Sequence, residues 1–469
     1  MPIQIHNSLT RKKEEFLPLK YPEVKMYVCG PTVYDQPHIG HARSAYIFDV
    51  IRRYLVYKGY KVFFVRNVTD VDDKIIDKAR QEFNGEDLNC AVLKVSNKYL
   101  DAYHADMELL GIMPPDKEPK ATEYVSEANP KMQRFIEELI KREAAYVSGG
   151  DVYFDITKAK DYGKLSNQSQ DNMEVGVRVA PGEKKRDPLD FALWKGAKEN
   201  EPSWDSPWGK GRPGWHIECS VMSSDILGDE FDIHGGGVDL IFPHHENEIA
   251  QSEGAGKKFA RYWIHHGLLT INAQKMSKSL GNFVAIKDFM DKYNNPDLLK
   301  LFFLSAHYAH PIDYNEQKLA EARTALGRIA ILHDRIEKRV TKSQVAPAEI
   351  EEAKVLFIKA MDDDFNTPRA LAAIFDLVNL TNKKIENVDF CVHSRALMGE
   401  LLGILGITLE KPELPDQISE SEIKAKIQER NNARKEKDYA SSDAIRKELE
   451  EKGVILEDEK GNTTWRRKL

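Results

Sequence analysis

The chain has 469 residues, 41% hydrophobic and 30% charged, with a net charge of -7 and a mean hydropathy of -0.52. This length exceeds one compact core and suggests about three domains; no apolar run approaches the ~20 residues of a membrane helix, and the mild acidity excludes no partner, since a nucleic-acid surface would have to be local. Four scattered cysteines, Cys29, Cys90, Cys219 and Cys391, do not suit a disulfide framework, and residues 1–20 lack a basic-then-apolar secretion pattern, so a reducing, cytoplasmic setting is expected.

Residues 24–29 read as a buried strand ending on Cys29, and residues 43–57 as an amphipathic helix. Between them runs Gly30-Pro31-Thr32-Val33-Tyr34-Asp35-Gln36-Pro37-His38-Ile39-Gly40-His41. A strand, a glycine-rich turn and a helix start form a phosphate-binding layout, because unpaired N–H groups and the helix dipole favour anions there. His38 and His41 fall on the first turn, where imidazole N–H groups can meet phosphate oxygens, and Gly40 leaves room for a flat ring. Taken singly, such histidines are more often surface or capping residues. Residues 61–65 complete a βαβ unit, so a parallel sheet is expected, with Asn67-Val68-Thr69-Asp70 at its carboxyl edge, where ligands of such sheets gather.

Residues 114–208 read as an insertion, with a helix over 131–143 and an alternating strand over 151–156. Strand patterning returns at 230–234 and 262–266, and from Asp297 the pattern is helical almost to the end. Thr367-Pro368 marks a helix start, with Thr367 as cap and Pro368 at the first helical position. Pro412 to Pro415 reads as a linker to a small final module.

Two groups carry chemistry. Cys219 lies in Gly214-Trp215-His216-Ile217-Glu218-Cys219-Ser220, and His244 and Glu248 are four apart, sharing one face of a helix. A metalloprotease would need a histidine four after His245, where Ile249 stands. Cys29, Cys219, His244 and Glu248 would suit zinc, with His245 an open alternative to His244 and plain core cysteines the bland one. Lys275-Met276-Ser277-Lys278-Ser279 sets two cations around a short loop that could neutralise a triphosphate, or is simply a solvated basic loop.

With both anion motifs intact, the chain resembles the class I aminoacyl-tRNA synthetases, whose two signatures look like His38-Ile39-Gly40-His41 and Lys275-Met276-Ser277-Lys278-Ser279. Within that class it resembles the cysteinyl-tRNA synthetase family, through Cys29-Gly30-Pro31-Thr32-Val33-Tyr34-Asp35, the Trp215 to Ser220 block, Asp232-Ile233-His234-Gly235-Gly236-Gly237, Phe242-Pro243-His244-His245-Glu246-Asn247-Glu248, Asp364-Phe365-Asn366-Thr367-Pro368 and Trp465-Arg466-Arg467-Lys468.

The resemblance implies an α/β architecture: a Rossmann-like parallel-sheet catalytic domain (1–113 and 209–265) interrupted by a connective α+β insertion (114–208). A stem-contact region (266–345), an α-helical bundle (346–410) and a small anticodon-binding module (411–469) would follow. It implies ATP-dependent activation of L-cysteine to cysteinyl-adenylate, then transfer to the 3′-terminal adenosine of tRNA(Cys), by a monomer. His38, His41, Lys275 and Lys278 would be catalytic, with His38, Gly40, His41 and Lys278 binding ATP and its Mg2+. One Zn2+ per chain on Cys29, Cys219, His244 and Glu248 would select the cysteine thiolate. Gly30, Thr69 and Trp215 would line the cysteine pocket, and Arg434, Asp443, Asp458 and Trp465 would contact the anticodon. Residues 411–469 hold fourteen basic and fourteen acidic side chains, so stacking and hydrogen bonding suit them better than bulk charge. Asp77 stands where many relatives carry a second lysine, which puts any persulfide-forming side activity in doubt. A cysteine–amino-sugar ligase would share the catalytic half but lack the last module, and a retired RNA-binding protein would not keep both signatures.

Overall fold

The computed structural model describes residues 2–168, 184–276, 281–336, 339, 345–409, 420–436, 438–452, 454–459 and 462–467. A short hairpin, β1 (Gln4–Asn7) and β2 (Lys12–Glu15), precedes the first βαβ unit: β3 (Glu23–Val28), α1 (Ile39–Tyr57) and β4 (Lys61–Arg66). In β3 the side chains of Val24, Met26, Tyr27 and Val28 are all buried, as expected of a parallel strand covered on both faces. Helices α2 (Asp73–Glu82) and α3 (Leu88–Leu109) follow, and then α4 (Lys131–Lys141).

Strands β5 (Ala145–Ser148), β6 (Asp151–Phe154), β7 (Phe191–Gly196) and β8 (Gly211–Pro213) form one antiparallel sheet in sequence order. Then come α5 (Trp215–Leu227), β9 (Phe231–Gly237), α6 (Glu246–Gly254) and β10 (Ala260–His266). Strand order in the second sheet is β10-β9-β3-β4, and every pairing is parallel. The carboxyl ends of all four strands therefore meet along one edge. Helix α1 crosses so near β9 that a Cβ on Gly235 would lie 2.3 Å from the Phe48 ring, and overpacking of that kind costs ~1–3 kcal/mol.

Beyond β10, the strands β11 (Leu269–Ile271) and β12 (Gln274–Lys275) lead to helices α7 (Ile286–Tyr293) and α8 (Pro296–Leu304). Strand β13 (Ile312–Tyr314) pairs parallel with β11. The bundle comprises α9 (Glu316–Ile336), α10 (Ala348–Asp362), α11 (Thr367–Lys383) and α12 (Val388–Ile404). The last helices are α13 (Glu420–Lys435) and α14 (Tyr439–Glu451), packed with a hairpin of β14 (Val454–Glu459) and β15 (Asn462–Arg467).

The expected elements are present with edges moved by a few residues. Helix α1 begins at Ile39 rather than Arg43, since His38 caps it. The cap of α11 is Asn366, whose side chain accepts from the Arg369 N–H at 3.2 Å, not Thr367. Asp364 and Phe365 have φ of 62° and 50°, and this left-handed turn buries Phe365 and moves the cap one position back. The proline linker at 412–415 lies outside the described residues.

Candidate active site and metal centre

Cys29 directly follows β3, and its loop is locked to the loop after β4. The Thr69 N–H donates to the Pro31 carbonyl at 3.1 Å, and the Val33 N–H to the Thr69 carbonyl at 3.2 Å. The Gly30 N–H donates to Asn67 Oδ1 at 2.9 Å, and a Cβ on Gly30 would lie 1.6 Å from the Asn67 carbonyl oxygen, so only glycine fits there.

Cys219 projects from α5 and Glu248 from α6, while His244 lies in the irregular turn that leads into α6. One ligand atom from each of Cys29, Cys219, His244 and Glu248 falls within 4.8 Å of every other. The two Sγ atoms are 3.6 Å apart, Cys29 Sγ is 3.5 Å from Glu248 Oε1, and that oxygen is 3.1 Å from His244 Nε2. Tetrahedral zinc with Zn–S of 2.3 Å would place two sulfurs ~3.8 Å apart, so the donor set fits that ion. Burial is the main force on these groups: it pushes both thiols up and His244 well below the usual imidazole range. A neutral imidazole is the ligand form, and a cation offsets the cost of making thiolates in a dry site. Cys29 alone of the four keeps some solvent exposure.

Sequence reasoning missed the histidines behind this cluster. Cys29, His234, His245 and Glu248 form a second, overlapping group within the same 4.8 Å, so His245 stays geometrically eligible. Only the first group has two thiols, the donors that zinc favours. His234 Nε2 lies 2.8 Å from Glu248 Oε2, His245 Nδ1 is 2.8 Å from His265 Nε2, and His216 Nδ1 is 3.0 Å from His244 Nδ1. These contacts orient ligands from behind. One signal was available: β10 ends on His265 and His266 directly after the apolar Trp263 and Ile264, and His234 stands between Ile233 and Gly235 within β9.

Trp215 stacks on His244 with ring centroids 4.2 Å apart and remains 38% exposed, so it forms a wall of the site rather than part of the core. Thr69 Oγ1 donates to the buried Glu218 at 2.6 Å, a partner that sequence reading also missed.

The other end of the segment is built locally. His38 Nδ1 accepts from the Gly40 and His41 N–H groups at 3.1 and 3.3 Å, and His41 Nδ1 accepts from the His38 N–H at 3.3 Å. The two rings stack at 3.8 Å, and burial pushes His41 down to about 3. The chain at Val284 to Ile286, beyond the second motif, lies against this helix start. The Ile39 N–H donates to the Val284 carbonyl at 3.1 Å, and the Ile286 N–H to the Pro37 carbonyl at 3.2 Å. The Met276 methyl lies 3.4 Å from where a Gly40 Cβ would stand, so the face of Gly40 is covered by the second motif. Lys275 is exposed at the end of β12, and Lys278 lies outside the described residues.

Arg43, one turn along α1, is fully buried and donates to the carbonyls of Gly267, Leu268, Tyr308 and His310. It thereby ties the helix of the first motif to the strand exit that leads to the second. In the last module Arg434 lies 3.3 Å from Asp458, Asp443 is exposed on α14, and Trp465 packs partly buried on the small core of Ile423, Leu449 and Leu456.

Known family models match most of the chain. The sequence model of the tRNA synthetases class I (C) catalytic domain matches residues 15–324, that of the DALR domain 356–410, and that of the cysteinyl-tRNA ligase anticodon binding domain 420–466. The cysteine–tRNA ligase of Anoxybacillus flavithermus is 49% identical over 479 residues, covering 100% of both chains. That of Pseudomonas aeruginosa is 47% identical, covering 99% of each. The chain belongs to the cysteinyl-tRNA synthetase family. Among solved structures, Mycobacterium tuberculosis methionyl-tRNA synthetase with methionyl-adenylate has a TM-score of 0.60 at 15% identity, covering 82% of this chain and 90% of that one. A putative arginyl-tRNA synthetase from Campylobacter jejuni has a TM-score of 0.56 at 16% identity, covering 84% and 95%. At such identity they share the class I fold alone. In this family member the loop after β3, helix α5 and the turn into α6 bring the thiol cluster together, and Met276 of the second signature motif meets Gly40 of the first.

Proposed function

We propose that the chain is a cysteine–tRNA ligase that joins L-cysteine to tRNA(Cys) with ATP cleavage to AMP and pyrophosphate. The observation that carries this reading is the thiol-rich donor cluster built at the foot of the loop that ends in the stacked His38 and His41. In the first step a carboxylate oxygen of cysteine attacks the α-phosphorus of ATP, and pyrophosphate leaves. In the second, a ribose hydroxyl of the tRNA's terminal adenosine attacks the cysteinyl carbonyl, and AMP leaves.

Cys29, Cys219, His244 and Glu248 would hold one zinc per chain, and bound there it would supply a Lewis acid that favours the thiolate form of the substrate's sulfur. A site built on that preference rejects serine by ~10⁴-fold or more, so no editing domain is needed. Gly30, Thr69 and Trp215 frame the substrate, with Glu218 fixing the Thr69 hydroxyl. His38 and His41 donate to phosphate oxygens, Gly40 seats the adenine once Met276 moves aside, and Lys275 and Lys278 neutralise the transferring group; Mg2+ arrives with ATP. No side chain is a nucleophile, since positioning and charge neutralisation carry phosphoryl transfer. Residues 114–208 act as the connective insertion and residues 411–469 read the anticodon through Arg434, Asp443, Asp458 and Trp465. The chain works as a monomer in the cytoplasm, and no helix among the described residues is long and apolar enough to cross a membrane.

Cysteine-dependent ATP–pyrophosphate exchange, followed by charging of tRNA bearing the GCA anticodon, tests this. Exchange with cysteine and charging of that tRNA are expected; zinc-replete protein without cysteine-dependent exchange refutes the reading, and exchange without charging favours the amino-sugar ligase.

A further inference from the structure

The last module has balanced charge in sequence, yet it gathers three guanidiniums around one carboxylate. Arg430 on α13 is buried and binds Asp458 in a two-pronged fork, Nη1 to Oδ1 at 2.9 Å and Nη2 to Oδ2 at 2.8 Å. Thr463 Oγ1 also donates to Oδ1, at 2.9 Å. Two further arginines approach the same carboxylate from the surface. Arg434, one turn after Arg430, has Nη1 3.3 Å from Oδ2, and Arg446 on α14 has Nη1 3.7 Å from it. Their side chains are 46% and 49% exposed, against 29% for Asp458. Arg430 holds Asp458 well below the usual carboxylate range, so it stays charged.

The ledger of charge leaves a surplus. Asp443 is the other carboxylate acting on Arg430, so among the described side chains of this group three cations face two anions. The Asp458 oxygens already accept short bonds from Arg430 and Thr463. Arg434 and Arg446 are held near by Coulomb attraction, with most of their planar N–H groups turned to solvent. Arg446 is fixed a second time, because Nη2 donates to the Leu456 carbonyl at 3.3 Å. Leu456 pairs across the hairpin with Trp465, so this guanidinium lies on the strand pair that carries the half-buried indole. A rigid fork of donors next to an aromatic suits single-stranded RNA, the fork taking phosphate and the ring taking a base.

We propose that Asp458 is a positioning residue that holds Arg434 and Arg446 as a pair, and that Arg446 contacts a backbone phosphate of the tRNA anticodon loop. This rests on the ligase reading above. It assigns to the RNA interface a residue that no sequence motif singled out.

The test is tRNA charging by the full-length enzyme with Arg446→Ala and Arg446→Lys, beside cysteine-dependent pyrophosphate exchange. Arg446→Ala is expected to raise the KM for tRNA about tenfold, the loss of one charge-assisted hydrogen bond, with exchange unchanged. The slope of log KM against log salt is expected to fall by ~0.7, the value for one phosphate contact on a single strand, which a purely structural role would not alter. Lysine at this position should restore most of the affinity. An unchanged KM overturns the proposal, and so does a raised KM with the wild-type salt slope. Failure of the ligase reading looks different, since the wild-type enzyme itself would then charge no tRNA.

Discussion

The two ends of the segment from Cys29 to His41 are built by opposite means. At the Cys29 end, donors arrive from a loop after β3, from α5 and from the start of α6, with Cys29 190 residues from Cys219 and 219 from Glu248, and most are buried. At the His38 end, one turn of helix makes the site from its own cap, with Met276 of the second motif against Gly40. Long-range packing thus creates a dry cluster of donors, whereas local backbone geometry stacks two imidazoles at a helix start. On the function proposed above, the difference would separate selection of the amino acid from activation of ATP, and single substitutions should separate them too.

The largest effect is expected at the packed end. Cys219→Ala removes one of two sulfur donors, and a water in its place is a much weaker ligand for zinc than a thiolate. We expect it to lose stoichiometric zinc by metal analysis and to lower cysteine-dependent exchange by ~10³-fold or more. Full zinc retention would break the comparison at once. A smaller loss is expected at the local end. His38→Asn keeps a side chain well suited to cap α1 and removes only the imidazole. Exchange should fall ~10²-fold, as on deleting one donor to developing charge, while zinc content and melting temperature stay close to wild type. Exchange within threefold of wild type would reduce His38 to a cap.

The same contrast explains what could be read in advance. The βαβ unit, the helix after His38 and the shared face of His244 and Glu248 follow from short-range periodicity, and the fold places each near its expected position. The choice between His244 and His245 did not follow, because the turn before α6 is irregular: Phe242 has φ of -132° and ψ of 131°. Both imidazoles consequently face the cluster, and only the partner thiol Cys219 favours one grouping. Glu218 and the arginines around Asp458 were invisible for a related reason. Their meaning lies in contacts across 149 and 28 positions, and a chain segment with equal numbers of acids and bases gives no hint of which share a carboxylate.

The smallest expected effect concerns stability and sharpens the notion of a dry interior. His265 and His266 end β10, both buried, and desolvation pushes them down to about 3 and about 4. In the unfolded chain each titrates near ~6.5. Between those values the unfolded state binds protons that the folded state refuses, so stability is intact above pH ~6.5 and is lost as pH falls towards 4. Each such histidine contributes at most ~1.4 kcal/mol per pH unit over that window. Metal loss in acid would add to the wild-type slope, so the informative quantity is the difference from a variant that leaves the donor cluster intact. His266 has its own carbonyl contact, Nδ1 to the Gly267 oxygen at 3.0 Å, and is not among the cluster's ligand groups. Urea unfolding of His266→Gln and wild type at pH 7 and pH 5 should show the variant losing less stability, by roughly 1–2 kcal/mol. Equal losses in the two proteins would mean that His266 takes up its proton in the folded state, and that the carboxyl edge of β10 is wetter than its burial implies.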